Sequence, residues 1–287
     1  MYVSVNGARL FFDVDGQLLF PAGPAMRQKP TIVMVHGGPG GDHSVAKPYF
    51  AQFTDIAQVV YYDQRGNGRS DLCDSTSWNL DQWSKDLKAF CDALEIEKPI
   101  VVGTSFGGFV TLAYATKYPN HAGAIILIST AAKVDFRDIY EAFERQGGTE
   151  IRRIAESYWE NPTDAARALY RERCVPFYSY RKDVSTDWLS RVMWRNETAL
   201  WFNGPKNEHG RFDYRSKLNT IPCSVLVMVG EEDPITPPAF SDAIVAGLPS
   251  DQVTYLKFQE CGHGVVADKP KKAAAAIRNF ILNNADG

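Results

Sequence analysis

The sequence predicts an α/β fold with a mostly parallel central sheet, helices on both faces and a helical insertion. Three observations carry that prediction. Continuous apolar runs such as Thr31-Ile32-Val33-Met34-Val35 and Ala124-Ile125-Ile126-Leu127-Ile128 look like strands covered on both faces. Stretches with helical spacing alternate with these runs, and such alternation builds a doubly wound sheet. The rhythm breaks once, between about Lys133 and Tyr214, where Arg, Glu, Tyr and Trp recur at helical spacing without a convincing buried strand.

In chain order, residues 2–5 and 10–14 read as a hairpin around Asn6-Gly7, suited to an antiparallel edge. Buried strands follow at residues 31–36, 59–63, 100–102 and 124–128, with helices over residues 80–94 and 106–118 between them. Beyond the insertion come strands at 225–229 and 253–258 and a terminal helix containing Ala273-Ala274-Ala275-Ala276. The expected organisation is a first core portion at residues 1–132, a helical cap at 133–214 and a second core portion at 215–287. Sheets of this type bind ligands at the carboxyl ends of their strands. His36, Asp63, Ser105 and Asp233 each follow an apolar strand.

The chain of 287 residues, 45% hydrophobic and 23% charged, can bury a large core and leaves no room for extensive disorder. With 31 Lys+Arg against 34 Asp+Glu and no basic run, a nucleic-acid or polyanion partner is not expected. A small molecule or short peptide is the expected substrate. No segment approaches the roughly 20 apolar residues that span a bilayer, so no membrane partner is expected. The segment Met1-Tyr2-Val3-Ser4-Val5-Asn6-Gly7 lacks the pattern of a secretory signal, which makes the cytoplasm the expected location. Cys73, Cys91, Cys174, Cys223 and Cys261 are scattered without a C-x-x-C pair, so neither a metal site nor a disulfide framework is expected.

The chemistry centres on Gly103-Thr104-Ser105-Phe106-Gly107-Gly108. A G-x-S-x-G segment between a strand and a helix puts its serine at the tip of a strained turn, with glycines removing side chains that would collide. A serine hydroxyl is a poor nucleophile at neutral pH and needs a histidine base oriented by a carboxylate. His263, in the glycine-flanked stretch Cys261-Gly262-His263-Gly264, suits the base. The acid is expected between nucleophile and base in the chain. Gly230-Glu231-Glu232-Asp233-Pro234 supplies it, Asp233 being favoured over its competitors Glu231 and Glu232. An oxyanion site needs two N–H donors, one from Phe106 after the nucleophile and one from a glycine-rich loop, where Gly38 of His36-Gly37-Gly38-Pro39-Gly40-Gly41 fits. That loop lacks the Gly-Lys-Ser/Thr of a phosphate cradle, and Gly66-Asn67-Gly68-Arg69-Ser70-Asp71 fails the dinucleotide fingerprint at its third glycine. No cofactor is therefore expected.

Together, His36-Gly37-Gly38-Pro39-Gly40, the Asp63 to Ser70 loop, Gly103 to Gly108, Gly230-Glu231-Glu232-Asp233 and Gly262-His263 resemble the proline iminopeptidase branch of the α/β-hydrolase fold. The resemblance covers roughly residues 25–130 and 216–287. It implies Ser105 as nucleophile, His263 as base, Asp233 as its partner, Gly38 and Phe106 as the oxyanion hole, and a structural role for Arg65. In the peptidases of that branch, glutamates in the cap and beside the catalytic acid bind the substrate's amino terminus. Here Pro234 follows Asp233, and Trp201-Phe202-Asn203 occupies the cap stretch where another glutamate is expected, leaving Glu197 or Glu208 as substitutes in a different register.

The leading expectation is accordingly a serine hydrolase of a small neutral ester, lactone or amide, with cap residues Trp201, Phe202, Trp194 and Tyr158 lining an apolar pocket. A proline iminopeptidase is the alternative, and a triad-bearing ligand sensor with negligible turnover a lesser one. Cys261, two residues from His263, predicts inhibition by bulky thiol reagents.

Overall fold

The computed structural model describes residues 1–183, 185, 187–204 and 208–284; positions 184, 186 and 205–207 of the expected cap, and the terminal 285–287, lie outside the described residues. β1 (Tyr2–Val5) and β2 (Ala8–Asp15) pair antiparallel across a turn in which Asn6 and Gly7 have φ of 48° and 75°. Two consecutive positive φ values match the right-handed twist of a hairpin, which is why an Asn-Gly dipeptide sits there. An exposed ribbon follows, β3 (Leu19–Ala22) with β4 (Ala25–Gln28). The sequence reading does not contain it. Every residue of β4 is exposed and β3 carries Pro21, so no buried face leaves a periodic trace.

The remaining strands are β5 (Thr31–Val35), β6 (Gln58–Tyr62), β7 (Ile100–Thr104), β8 (Ala124–Ile128), β9 (Ser224–Gly230) and β10 (Val253–Phe258). They join β1 and β2 in one sheet of order β1-β2-β6-β5-β7-β8-β9-β10. Pairing is parallel from β6 through β10, and β2 lies antiparallel against β6. The chain winds outward from β5 to β6, then crosses to β7 on the other side. The loops leaving β5 and β7 therefore diverge at a topological switch point, where open α/β sheets form their crevice.

The helices are α1 (Lys47–Phe50), α2 (Leu80–Ala93), α3 (Phe106–Lys117), α4 (Phe136–Glu160), α5 (Asp164–Arg173), α6 (Asp187–Arg191), α7 (Asn196–Asn203), α8 (Pro238–Gly247), α9 (Val265–Asp268) and α10 (Pro270–Asn283). Strand residues alternate between two cores. Val33, Val35, Val60, Tyr62, Val101 and Val227 face Trp83, Leu87, Phe90, Leu112 and Ile244 of α2, α3 and α8. Ile32, Met34, Val59, Tyr61, Val102 and Met228 face Phe50 of α1 and Ala273, Ile277 and Ile281 of α10. Burial on both faces explains the unbroken apolar runs. Asn79 caps α2 by accepting the Gln82 N–H at 2.8 Å, and Pro270 starts α10, where its missing N–H costs nothing.

Helices α4 to α7 all fall between β8 and β9. α4 is capped by Asp135 and broken at Gly148, whose φ is 78°; Thr163 caps α5. Among the described residues no helix is long and apolar enough to cross a membrane.

Candidate active site

Ser105 stands between β7 and α3 with φ 54° and ψ −121°, a left-handed conformation that costs a non-glycine residue of order 1–3 kcal/mol. Its surroundings hold it there. The Ser105 N–H donates to Ile128 O at 2.9 Å, and its carbonyl accepts from the Gly108 N–H and the Thr130 hydroxyl, each at 2.8 Å. The glycines are required by close approach. A Cβ on Gly107 would lie 2.0 Å from Val35 O, and one on Gly103 2.4 Å from Thr111 Oγ1. The turn thus packs against β5 and its own helix without a gap.

Asp233 and His263 follow β9 and β10. The strand ends are tied in series, with Ser129 N–H donating to Met228 O at 2.9 Å, Glu231 N–H to Phe258 O at 3.0 Å and Glu232 N–H to Cys261 O at 2.9 Å. His263 Nδ1–H donates to Asp233 Oδ2 at 2.8 Å. The Asp233 carboxylate is fully buried and saturated with donors: Ile235 N–H at 2.8 Å and Thr236 N–H at 2.9 Å on Oδ1, and the Thr236 hydroxyl at 2.7 Å on Oδ2. This fixes Nδ1–H on His263 and leaves Nε2 as the basic nitrogen. Glu231 and Glu232, the competing acids, are exposed. Sequence reasoning missed Thr236; its signal is the Asp-x-x-Thr spacing, in which a hydroxyl can return to the carboxylate three residues earlier.

The glycine-rich loop after β5 lies beside Ser105. A Cβ on Gly37 would sit 3.5 Å from Ser105 Cβ, and Gly38 adopts φ 146°, a region that L side chains rarely enter. Phe106 is the first residue of α3, so its N–H is among those that helix geometry leaves without an i−4 carbonyl. Buried His36 anchors the loop, with Nδ1–H on Gly37 O at 2.7 Å and Nε2 accepting the Gln64 N–H at 3.2 Å. Burial lowers the His36 pKa, outweighing the pull of Asp63, so the ring is neutral and this tautomer is fixed.

The loop after β6 supports the one after β5. Asn67 Oδ1 accepts the Gly40 N–H at 2.7 Å, and Asp63 accepts the His43 backbone N–H at 3.0 Å, His43 Nδ1–H at 2.7 Å and the Arg69 N–H at 2.8 Å. Burial raises the Asp63 pKa, but the His43 hydrogen bond and the nearby His36 and His43 more than offset it, and the carboxyl lies below its ordinary range. Arg65 is buried in a bidentate pair with Asp86 at 2.7 and 2.9 Å. Its role is structural, holding α2 to this loop.

The insertion reaches the same loops. Arg195 N–H donates to Gly40 O at 2.8 Å, Met193 N–H to Asp42 Oδ2 at 2.9 Å, and the Thr198 hydroxyl to Gly66 O. Tyr178 lies against His263, the two rings 5.2 Å apart, and its carbonyl accepts the Gly264 N–H at 3.2 Å. Nothing in the sequence singles this tyrosine out from the others of the insertion. Phe202 is fully buried with its ring 5.3 Å from Phe106, so it backs the elbow. Buried Tyr158 takes hydrogen bonds from Arg167 at 3.0 Å and Asn203 at 3.1 Å. Trp194 is half-buried beside Gly41, and half-buried Trp201 sits edge-on to Trp78 at 6.5 Å.

Cys261 overturns one expectation. It is buried, and burial with the charges of Asp268 and Asp233 pushes its thiol up to about 12, so it has neither the access nor the thiolate that reaction with a bulky reagent requires. Among the described residues no group of three or more His, Cys, Asp or Glu is arranged to hold a metal ion.

This geometry belongs to a class. A model of the alpha/beta hydrolase fold matches residues 30–270, and the chain is a member of that family and a hydrolase. It falls in the proline iminopeptidase-like branch. The proline iminopeptidase of Thermoplasma volcanium is 26% identical over an alignment spanning 99% of this chain and 96% of the relative. A putative carbamate hydrolase of Caulobacter sp. is also 26% identical, over 96% of this chain and 97% of its own. Among solved structures, the proline iminopeptidase of Mycobacterium smegmatis matches with a TM-score of 0.77 at 22% identity, covering 99% of this chain and 98% of that one.

Proposed function

We propose that the protein is a cofactor-free serine hydrolase that cleaves a small ester, lactone or amide through an acyl-enzyme on Ser105. The observation that carries this reading is the 2.8 Å hydrogen bond from His263 Nδ1–H to a saturated, buried Asp233, at the sheet edge that also holds the strained Ser105 turn. In this reading His263 Nε2 takes the Ser105 proton as Oγ attacks the acyl carbon, and Asp233 stabilises the imidazolium. The N–H groups of Gly38 and Phe106 meet the oxyanion, an interaction whose loss costs about 3 kcal/mol of barrier. His263 returns its proton to the leaving group, then activates water to release the acid. Residues 133–214 act as the cap, between core portions 1–132 and 215–287.

The residues around the site favour substrates without a free amine. Pro234, beside the acid, is buried. Glu208 accepts the Leu80 N–H at 2.8 Å at the start of α2, and Glu197 is exposed. The Thermoplasma volcanium relative favours a second reading, release of an N-terminal proline. Hydrolysis of a proline arylamide, its N-acetylated form and a short-chain aryl ester separates the two. Preference for the aryl ester supports the first reading, and strong preference for the free amine overturns it. Ser105→Ala abolishes turnover and fluorophosphonate labelling in either case. Only trace wild-type turnover, with ligand response kept in Ser105→Ala, makes the protein a sensor instead.

A further inference from the structure

Arg167 and Arg171 lie one turn apart on α5, and neither forms an ion pair among the described residues. Arg167 is only 8% exposed. Its Nε donates to Asn196 Oδ1 at 3.1 Å and its NH1 to Tyr158 OH at 3.0 Å, both neutral acceptors. Half-buried Arg171 stacks its guanidinium 4.2 Å above the Trp194 ring. A buried cation without a counter-ion is costly, and two at i, i+4 repel each other. Burial and the charge of Arg167 accordingly lower the Arg171 pKa.

The pair is bracketed by the catalytic elements. On one side Tyr170, between the two arginines on α5, has its hydroxyl 2.9 Å from that of Tyr178, whose ring packs 5.2 Å from His263. On the other side Trp194, under Arg171, lies 3.9 Å from the Cβ position of Gly41 on the glycine-rich loop. Asn196, which holds Arg167, directly follows Arg195, the residue bonded to Gly40. Helix α5, which carries the arginines, is therefore linked on one side to His263 through Tyr170 and Tyr178 and on the other to the glycine-rich loop through Trp194. A guanidinium stacked on an indole presents its planar fork to a carboxylate, the geometry of bidentate recognition.

We infer that Arg171, backed by Arg167, binds a carboxylate at the end of the substrate remote from the scissile bond. This rests on the serine-hydrolase reading and replaces the neutral substrate expected from sequence with an anionic one. A substrate ammonium would meet two cations in the same place.

The test compares 4-nitrophenyl hydrogen glutarate with its methyl ester, which differ only at the remote end, a carboxylate in one and its neutral methyl ester in the other. Wild type is expected to favour the acid in kcat/KM. Arg171→Gln is expected to reduce the acid-to-ester ratio by about 10- to 100-fold, the range of a hydrogen bond to a charged group, and Arg171→Lys by less. The ratio cancels any general loss of folded enzyme. Equal use of both esters by wild type, or a ratio unchanged in Arg171→Gln, overturns the inference while leaving the hydrolase reading intact. Calorimetry of glutarate binding to Ser105→Ala gives a readout independent of turnover. Binding that is lost on adding Arg171→Gln supports the anion site even where neither ester is hydrolysed, in which case the hydrolase reading is what fails. Binding indifferent to Arg171 refutes the site.

Discussion

Acid should loosen this protein through His209, a histidine outside the proposed group of Ser105, His263 and Asp233. The ring is buried among Phe109, Phe136, Trp159, Phe202 and Phe212, with centroid distances of 4.7 Å between Phe109 and Phe212 and 4.9 Å between Trp159 and His209. Asn203 Oδ1 accepts from its Nδ1–H at 2.9 Å. Burial alone lowers its pKa to about 3. In the unfolded chain the value is about 6.5. The folded pKa lies below the unfolded one, so the unfolded chain binds the proton first as pH falls. The stabilisation is fully present above about pH 6.5 and is lost progressively down to about pH 3.

From pH 7.5 to 4.5 the loss assigned to this one group is about 3 kcal/mol, two pH units below the unfolded pKa at about 1.4 kcal/mol each. His36 shifts in the same direction, so wild type alone cannot isolate the effect. His209→Asn does, because an amide N–H can replace Nδ1–H toward Asn203. Urea unfolding of both proteins at pH 7.5 and 4.5 is the assay. The variant is less stable at pH 7.5 for want of the ring, yet it should lose about 3 kcal/mol less than wild type on acidification. An equal loss in the two proteins refutes the reasoning. Since Phe202 and Phe109 pack on Phe106, activity should fall in the same pH range before global unfolding.

Three further outcomes follow from the site. Thr236→Val removes one donor from Asp233 and should lower kcat/KM for an aryl ester about tenfold, through kcat rather than KM; an unchanged kcat shows that the other donors suffice. Gly107→Ala puts a methyl group 2.0 Å from Val35 O, and a loss of stability of about 3 kcal/mol or more in thermal unfolding is expected; a near-wild-type melting temperature contradicts the close approach. Exposed Cys73 should be labelled rapidly by a chromogenic disulfide reagent, whereas Cys261 should react only on unfolding; fast labelling of Cys261 in native protein contradicts its burial.

The strands of the main sheet and the elbow were legible because each is locally encoded. An unbroken apolar run such as Ile100-Val101-Val102 records burial on two faces, and a glycine two residues either side of Ser105 records backbone contact. Asp233 and His263 were legible from chain order, since successive parallel strands deliver successive loops to one edge. The β3–β4 ribbon was illegible because nothing in it is buried enough to impose a period. The insertion was legible only as helices. Its aromatics repeat at helical spacing whichever way they face, so the sequence pointed to Phe202, which lies behind Phe106, and not to Tyr178, which lies against His263.

The sequence by itself determined the fold class and the α/β-hydrolase motifs that carry the proposed nucleophile, base and acid, because local backbone sterics and strand order specify them. Tertiary structure alone decided which donors saturate Asp233, which residues of the insertion reach the glycine-rich loop and His263, and which arginines have no ion pair among the described residues. Those depend on side-chain direction and on partners far apart in the chain, such as Met193 and Asp42, 151 positions apart, which no local pattern encodes.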